Sequence, residues 1–398
     1  MKFGHAALPE WPLDPAVLYL NHGTVGVTPR RVMAAAQAIR EEIERGPSQF
    51  LLRRLTPDVG LGSRGTAGRP VLREAADAVA GLVGGHGEDL AFVDNITTAV
   101  TAVLRSVPLT AGDEILVTDF AYGAVAIAAE HRAREAGASV RTVRMPDPPF
   151  TPEGVVEAIA AGLGPRTRLA IVDHITSETA LLLPVAAIAA RCRAAGVPVL
   201  VDGAHAPGAI ALDIPSLGVD WYGANLHKWA WTPRSAGILW AAPGRQPGLH
   251  APVWSWGADT GFPIEFDWIG TRDPSAWLAA PAAIALMREV GLEAVFAHNH
   301  ALAWRAACRL GERFGAPPPA PESMVGTMAS VALPKAAGST REEAARLRDA
   351  LLFEDRIEVP VLVRRDRLWL RVSAQVYVEE ADLDRLADAV LARVPRAV

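Results

Sequence analysis

Between about Ala76 and Ile238, short apolar runs alternate with longer, Ala-rich stretches of helical period. The runs at 90–93, 114–118, 139–143, 169–173, 197–201 and 237–240 read as strands. Pro198 falls near the start of the fifth, where a strand best tolerates the missing N–H. Between them, helices are predicted near 96–107, 124–136, 152–163 and 184–195. Strands alternating with helices of this length predict an α/β architecture with a mostly parallel sheet. Ligands of such sheets sit beyond the carboxyl ends of the strands. Asp173, Asp202 and His205 all lie at or just past such ends.

From Asp273 onward the pattern changes. Two long helical stretches, 274–290 and 292–314, run into a Pro-rich segment, 316–321, that cannot continue a helix. Strands at 328–333 and 368–373 and helices at 340–353 and 379–393 follow, the signature of a small α+β domain. No repeat of fixed period is visible. At 398 residues the chain exceeds the size at which a single core keeps growing. Two domains are expected: a large α/β domain over 15–265, and a small C-terminal α+β domain over 266–398 that includes residues 1–14.

Composition narrows the class. Hydrophobic residues make up 50% and charged residues 21%, ordinary for a soluble globular protein. The net charge of −5 argues against nucleic acid or an anionic membrane as partner. The two cysteines, Cys192 and Cys308, support neither a disulfide framework nor a Cys-based metal site, and each reads as a buried, inert thiol in a helix. The N-terminus is not followed by an apolar run of signal-peptide length. The longest uncharged apolar stretches, 180–190 and 275–287, fall short of a membrane span and contain Pro184 or Pro281. A cytoplasmic enzyme is expected.

The chemistry concentrates around Lys228, in Gly223-Ala224-Asn225-Leu226-His227-Lys228-Trp229. Upstream, Val201-Asp202-Gly203-Ala204-His205 places an aspartate at the end of an apolar strand. Pyridoxal 5'-phosphate (PLP) chemistry requires this pair: a lysine to bond with the cofactor aldehyde, and a carboxylate to keep the pyridine nitrogen protonated. A carboxylate ~4 Å from that nitrogen contributes on the order of 4 kcal/mol at an effective dielectric near 20. One pKa unit needs only about 1.4 kcal/mol, so the attraction suffices. The aromatic setting of Lys228 (Trp221, Tyr222, Trp229, Trp231) implies burial, a lowered amine pKa and a base for the substrate α-carbon. The phosphate needs a helix N-terminus and small hydroxyls, which Asp94-Asn95-Ile96-Thr97-Thr98 supplies. An ordinary N-cap has the same sequence.

Several ordered motifs together resemble the class V aminotransferase family of fold-type I PLP enzymes, and within it isopenicillin N epimerase-like proteins. They are Asp202-Gly203-Ala204-His205-Ala206-Pro207-Gly208, Asn225-Leu226-His227-Lys228-Trp229, Gly270-Thr271-Arg272-Asp273 and Leu370-Arg371-Val372-Ser373. Leu20-Asn21-His22-Gly23 and Phe50-Leu51-Leu52-Arg53 fit as well. The resemblance covers nearly the whole chain and implies a mostly parallel seven-stranded sheet with a small C-terminal domain. It implies that Tyr122 stacks on the cofactor ring and that His205 lies near its phenolic oxygen. Asn225 and His227 would join Thr97 and Thr98 around the phosphate, and Thr271 would reach the phosphate of the neighbouring subunit of a homodimer. Arg371 would clamp the substrate carboxylate, with Asn21 and His22 beside it.

The departures inform as well. No cysteine lies between Gly315 and Arg371, which disfavours sulfur transfer through a persulfide. Asn225 stands where many relatives have serine. His298 and His300 are two apart on a predicted helix and point in different directions, so no metal site is expected. Among eleven tryptophans, Trp254, Trp256 and Trp268 precede the small domain, as packing or interface residues or as the lining of a bulky pocket. The leading expectation is an epimerase or racemase of an amino acid, with Tyr122, His205 and His22 as candidates for the second proton-transfer face. Carbon–sulfur β-elimination from a cysteine conjugate and transamination are the alternatives, since each needs only Lys228 as base.

Overall fold

The computed structural model describes residues 1–56 and 68–394. Its centre is a sheet of seven strands: β1 (Leu90–Val93), β2 (Glu114–Thr118), β3 (Ser139–Val143), β4 (Thr167–Asp173), β5 (Val199–Asp202), β6 (Trp221–Asn225) and β7 (Gly237–Ala241). Their spatial order is β1-β7-β6-β5-β4-β2-β3. All pairings are parallel except the two made by β7, which runs antiparallel to both β6 and β1.

The strands read as unbroken apolar runs because helices cover both faces and alternate residues serve different cores. Ile115, Val117, Leu169 and Ile171 face one core, while Leu116, Ala170 and Val172 face the other. Helices α3 (Ile96–Ser106) and α4 (Gly123–Ala136) pack on the first side. Helices α5 (Pro152–Gly162) and α6 (Val185–Ala194), with the earlier α2 (Val71–Val83), cover the second. Edge strand β3 is the exception, with Ser139, Arg141 and Thr142 exposed.

One strand of this seven-stranded sheet went unpredicted. In β6, Trp-Tyr-Gly-Ala-Asn, the apolar run is broken by Gly223. A Cβ there would lie 2.5 Å from Ile96 Cδ1 and 2.9 Å from Ala99 Cβ, so the glycine exists to let α3 approach the sheet. Helix α1 (Arg30–Arg45) and α2 were also outside the predicted set.

Past the sheet, the predicted helix 274–290 is two: a turn at Ser275–Leu278 and then α7 (Ala280–Val290). Pro281 sits in the first turn of α7, where its missing N–H has no helical partner to lose. Helix α8 (Leu292–Phe314) leads to a three-stranded antiparallel sheet, in the order β9-β10-β8, of β8 (Met328–Ala332), β9 (Val361–Arg364) and β10 (Arg367–Ser373). Helices α9 (Arg341–Phe353) and α10 (Glu380–Arg393) complete this part.

The N-terminal segment docks on it: Gly4 N–H donates to Val376 O at 2.7 Å, and Leu18–Tyr19 pairs with Ile357–Glu358. Cys192 is buried as expected, but Cys308 is exposed, on the outer side of α8. No helix among the described residues is long and apolar enough to cross a membrane.

Candidate active site

A cavity of about 220 Å³ opens where β4, β5 and β6 end and α3 begins. Three strand-terminal side chains line it: Asp173, Asp202 and Asn225. Lys228 enters from the turn after β6. Its amine lies 3.2 Å from His205 Nε2. Burial, reinforced by the charge of Arg371 and opposed by Asp202, lowers the amine to about 8.

The Lys228 backbone is pinned from below. His22 Nε2–H donates to the Lys228 carbonyl at 2.9 Å, and His22 Nδ1 accepts from the Tyr377 hydroxyl at 2.9 Å. Burial lowers His22 to about 4, which keeps it neutral. Gly26, at φ 68°, lets this segment pass under the lysine turn, since a Cβ there would lie 1.8 Å from His227 O. His22 therefore does not border the substrate space as the sequence suggested. Both its nitrogens are taken, and it is fully buried.

Asp202 is the most telling group. Its Oδ1 accepts the Ala204 N–H at 2.9 Å, while Oδ2 has no hydrogen-bond partner although the residue is only 3% exposed. Its register partner on β4 is Asp173, so both carboxyls project from the same face into the same cavity. Burial raises both, and the Asp202 charge raises Asp173 further. A buried acceptor without a donor, in a cavity of this charge, fits a cationic ring nitrogen.

At the other end of the cavity, Asn95 caps α3 by accepting Thr98 N–H at 3.1 Å, and Asn225 Oδ1 accepts Ile96 N–H at 2.9 Å. The two threonines separate: Thr97 lines the cavity, while Thr98 turns its N–H and hydroxyl to Asn95. His227 lines the cavity and donates Nδ1–H to Ala236 O at 2.8 Å. Burial lowers it to about 4. Tyr122, just before α4, is 46% exposed at the cavity mouth.

Arg371, on β10, is buried and does not itself line the cavity. Its Nη1 donates to Ser177 O and its Nη2 to Thr24 Oγ1, both at 2.6 Å, and its Nε has no partner. Ser177 and Thr24 do line the cavity, so the guanidinium stands directly behind them. Burial lowers it to about 10. Asn21 also lies outside the lining: it donates to Glu358 at 2.8 Å and accepts from Thr24. Thr271 is exposed on a loop away from the cavity. His298 and His300 do turn apart, to the Phe3 ring and to Val325 O respectively.

Thr24, Asp173 and Ser177 carried no assignment in the sequence. Thr24 directly follows the recognised Leu20–Gly23 motif, and Asp173 stood at a predicted strand end.

The family model for class-V aminotransferases matches residues 34–335. The chain belongs to the class-V aminotransferase family. Among curated relatives, isopenicillin N epimerase of Streptomyces clavuligerus is 35% identical over 396 residues, covering 95% of both chains. The isopenicillin N epimerase of Amycolatopsis lactamdurans is 37% identical, also covering 95% of each. A probable chloroplastic L-cysteine desulfhydrase of Arabidopsis thaliana is 30% identical, covering 95% of this chain and 83% of its own.

Among solved structures, a C-DES mutant with glycine covalently linked to its PLP cofactor superposes with a TM-score of 0.78 at 22% identity, covering 97% of this chain and 99% of that one. A cysteine desulfurase from Thermococcus onnurineus gives 0.77 at 17% identity, covering 99% and 98%. The likeness shows the fold-type I architecture that the sequence suggested. PLP is the cofactor of this family member, and the unpartnered Asp202 oxygen, the cavity-facing lysine and the α3 N-terminus fit it.

Proposed function

We propose that this class-V enzyme removes and returns the α-proton of an amino acid, as an epimerase or racemase. The observation that carries this reading is the Lys228 amine, buried, lowered to about 8 and facing a cavity that also holds the unpartnered Asp202 oxygen. PLP, when bound, supplies the electron sink that makes an α-proton removable. Lys228 holds the cofactor and, released by substrate, takes the proton on one face. Asp202 keeps the ring nitrogen protonated, with Asp173 beside it. Thr97, Asn225 and His227 surround the phosphate at the α3 N-terminus, where the backbone dipole favours an anion. Arg371, through Thr24 and Ser177, draws the substrate carboxylate to its side.

Of the three side chains considered for the second face, His22 and His205 are both engaged with Lys228 itself. Tyr122 remains, exposed at the mouth. The active sites are completed in a homodimer through Thr271, which the exposed Trp254 and Trp256 of the preceding loop support.

A second reading, elimination of sulfide from cysteine, is favoured by the relatives named as desulfhydrases. Proton NMR in D₂O with L- and D-amino acids separates the two. Loss of the α-proton signal with appearance of the other enantiomer is expected, whereas pyruvate from cysteine would establish elimination. Lys228→Ala is expected to lose the visible absorbance of the bound cofactor and all turnover, and retained turnover would sink the assignment.

A further inference from the structure

Trp229 follows the cofactor lysine and is fully buried. Its one polar atom is an N–H that only donates. That N–H lies 3.3 Å from His205 Nδ1. An imidazole nitrogen that receives a hydrogen bond carries no proton of its own, so a neutral His205 holds its proton on Nε2. Burial, reinforced by the charge of Arg371, holds His205 well below its ordinary range and therefore neutral. Nε2 is the atom that faces the Lys228 amine at 3.2 Å. An N–H aimed at an amine makes a hydrogen bond only if the amine presents its lone pair.

We propose that Trp229 is a positioning residue that selects the Nε2–H form of His205, and that this N–H holds the Lys228 amine as its free base, facing the cavity. The inference rests on Lys228 being the cofactor lysine. The free base is the form that captures the cofactor: the amine attacks the aldehyde carbon, a C=N bond replaces C=O, and water leaves. The other groups around the amine are the cation Arg371, the neutral His227, the carboxyls Asp202 and Asp173, Tyr122 at the mouth, and His22 on the Lys228 carbonyl. None of them donates to the amine nitrogen. Without the Trp229 donor, His205 is free to move its proton to Nδ1 and present a lone pair, which favours the charged amine.

The test uses cofactor-stripped enzyme and two readouts. Nitrogen-15 NMR of histidine-labelled protein, with His205 assigned through His205→Gln, is expected to show the Nε2–H form in the wild type and a mixture in Trp229→Phe. The rate of PLP capture, followed by absorbance, is expected to rise with pH around a midpoint near 8 in the wild type. In Trp229→Phe the midpoint moves up by about 1 pH unit and capture at pH 7 slows about tenfold. Replacement of Trp229 by benzothienylalanine, which keeps the ring volume without the N–H, is expected to give the same change, and it decides the matter if Trp229→Phe folds poorly. An Nδ1–H form in the wild type, or an unchanged midpoint in the benzothienylalanine protein, overturns the proposal. Capture with an unaltered spectrum in Lys228→Ala instead overturns the reading on which it rests.

Discussion

Two buried aspartates in this molecule have nearly the same solvent exposure and opposite meanings. Asp267, at the end of the short helix Ile264–Asp267, is met by Arg73, whose Nη2 lies 2.6 Å from Oδ1. Arg73 is itself held by the carbonyls of Gly87 and Leu90. A second guanidinium, Arg272, stands nearby, stacked on Trp277 at 3.9 Å. Asp202 receives a single backbone N–H, and its nearest strand neighbour is another carboxyl, Asp173. Both aspartates keep one oxygen without a partner, so an orphan oxygen alone does not mark a site. The counter-ion does. Asp267 has its cation within the chain and knits the α2 helix to the loop before α7. Asp202 faces a cavity and a lysine amine lowered to about 8, and its second oxygen bonds to no cation among the described residues.

The comparison can be broken at either end. Asp202→Asn is expected to lower turnover about 10³-fold, the rate equivalent of about 4 kcal/mol of attraction to the ring nitrogen. Unfolding of the cofactor-free variant should come at or above the wild-type temperature, because an uncompensated buried carboxyl has been removed. A loss under tenfold with a lowered melting temperature would place Asp202 in the same structural class as Asp267. Asp267→Asn should show the reverse in denaturant unfolding, a loss of about 3 kcal/mol with the turnover of the folded fraction retained.

The suppressed lysine charge gives a pH signature. The folded-state pKa of Lys228, about 8, lies below that of the unfolded chain, near 10.5. Between those values the unfolded state binds more protons, so stability rises with pH. Below pH 8 the full penalty of about 3 kcal/mol applies. Lys228→Met should remove it: the cofactor-free variant is expected to be the more stable protein at pH 7 and to lose that advantage by pH 10.5. Equal slopes in the two proteins would mean that the amine is not desolvated.

Arg371, a third buried charge, lies between the two cases, with its Nη atoms partnered and Nε free. Arg371→Lys should lower kcat/KM about 10- to 100-fold, mainly through KM, by loss of the planar fork. An effect confined to stability would leave the substrate carboxylate to another group.

Much of the large sheet was legible because its strands are buried on both faces and therefore announce themselves as continuous apolar runs. Six of its seven strands and all four intervening helices fell within a few residues of prediction. The strand holding the approach to Lys228 was not legible, because Gly223 breaks its run for the sake of a helix far away in sequence. The division of residues 274–290 into two helices was hidden for a related reason: Pro281 is as acceptable at a helix start as it is disruptive within one.

At the site, the sequence alone determined the family and its cofactor. Lysine, aspartate and a polar helix start carry their chemistry in their side chains, and their spacing along alternating strands and helices brings them to one end of a parallel sheet. Tertiary structure decided how they are supported. His22 lies under the lysine with both nitrogens taken, Thr97 and Thr98 part company, Arg371 stands behind Thr24 and Ser177, and Trp229 donates to His205. These contacts join residues from 24 to 347 positions apart, or turn adjacent residues to opposite sides. Hydrogen bonds of this kind depend on angstrom-scale placement of whole elements, which no local pattern of residues encodes.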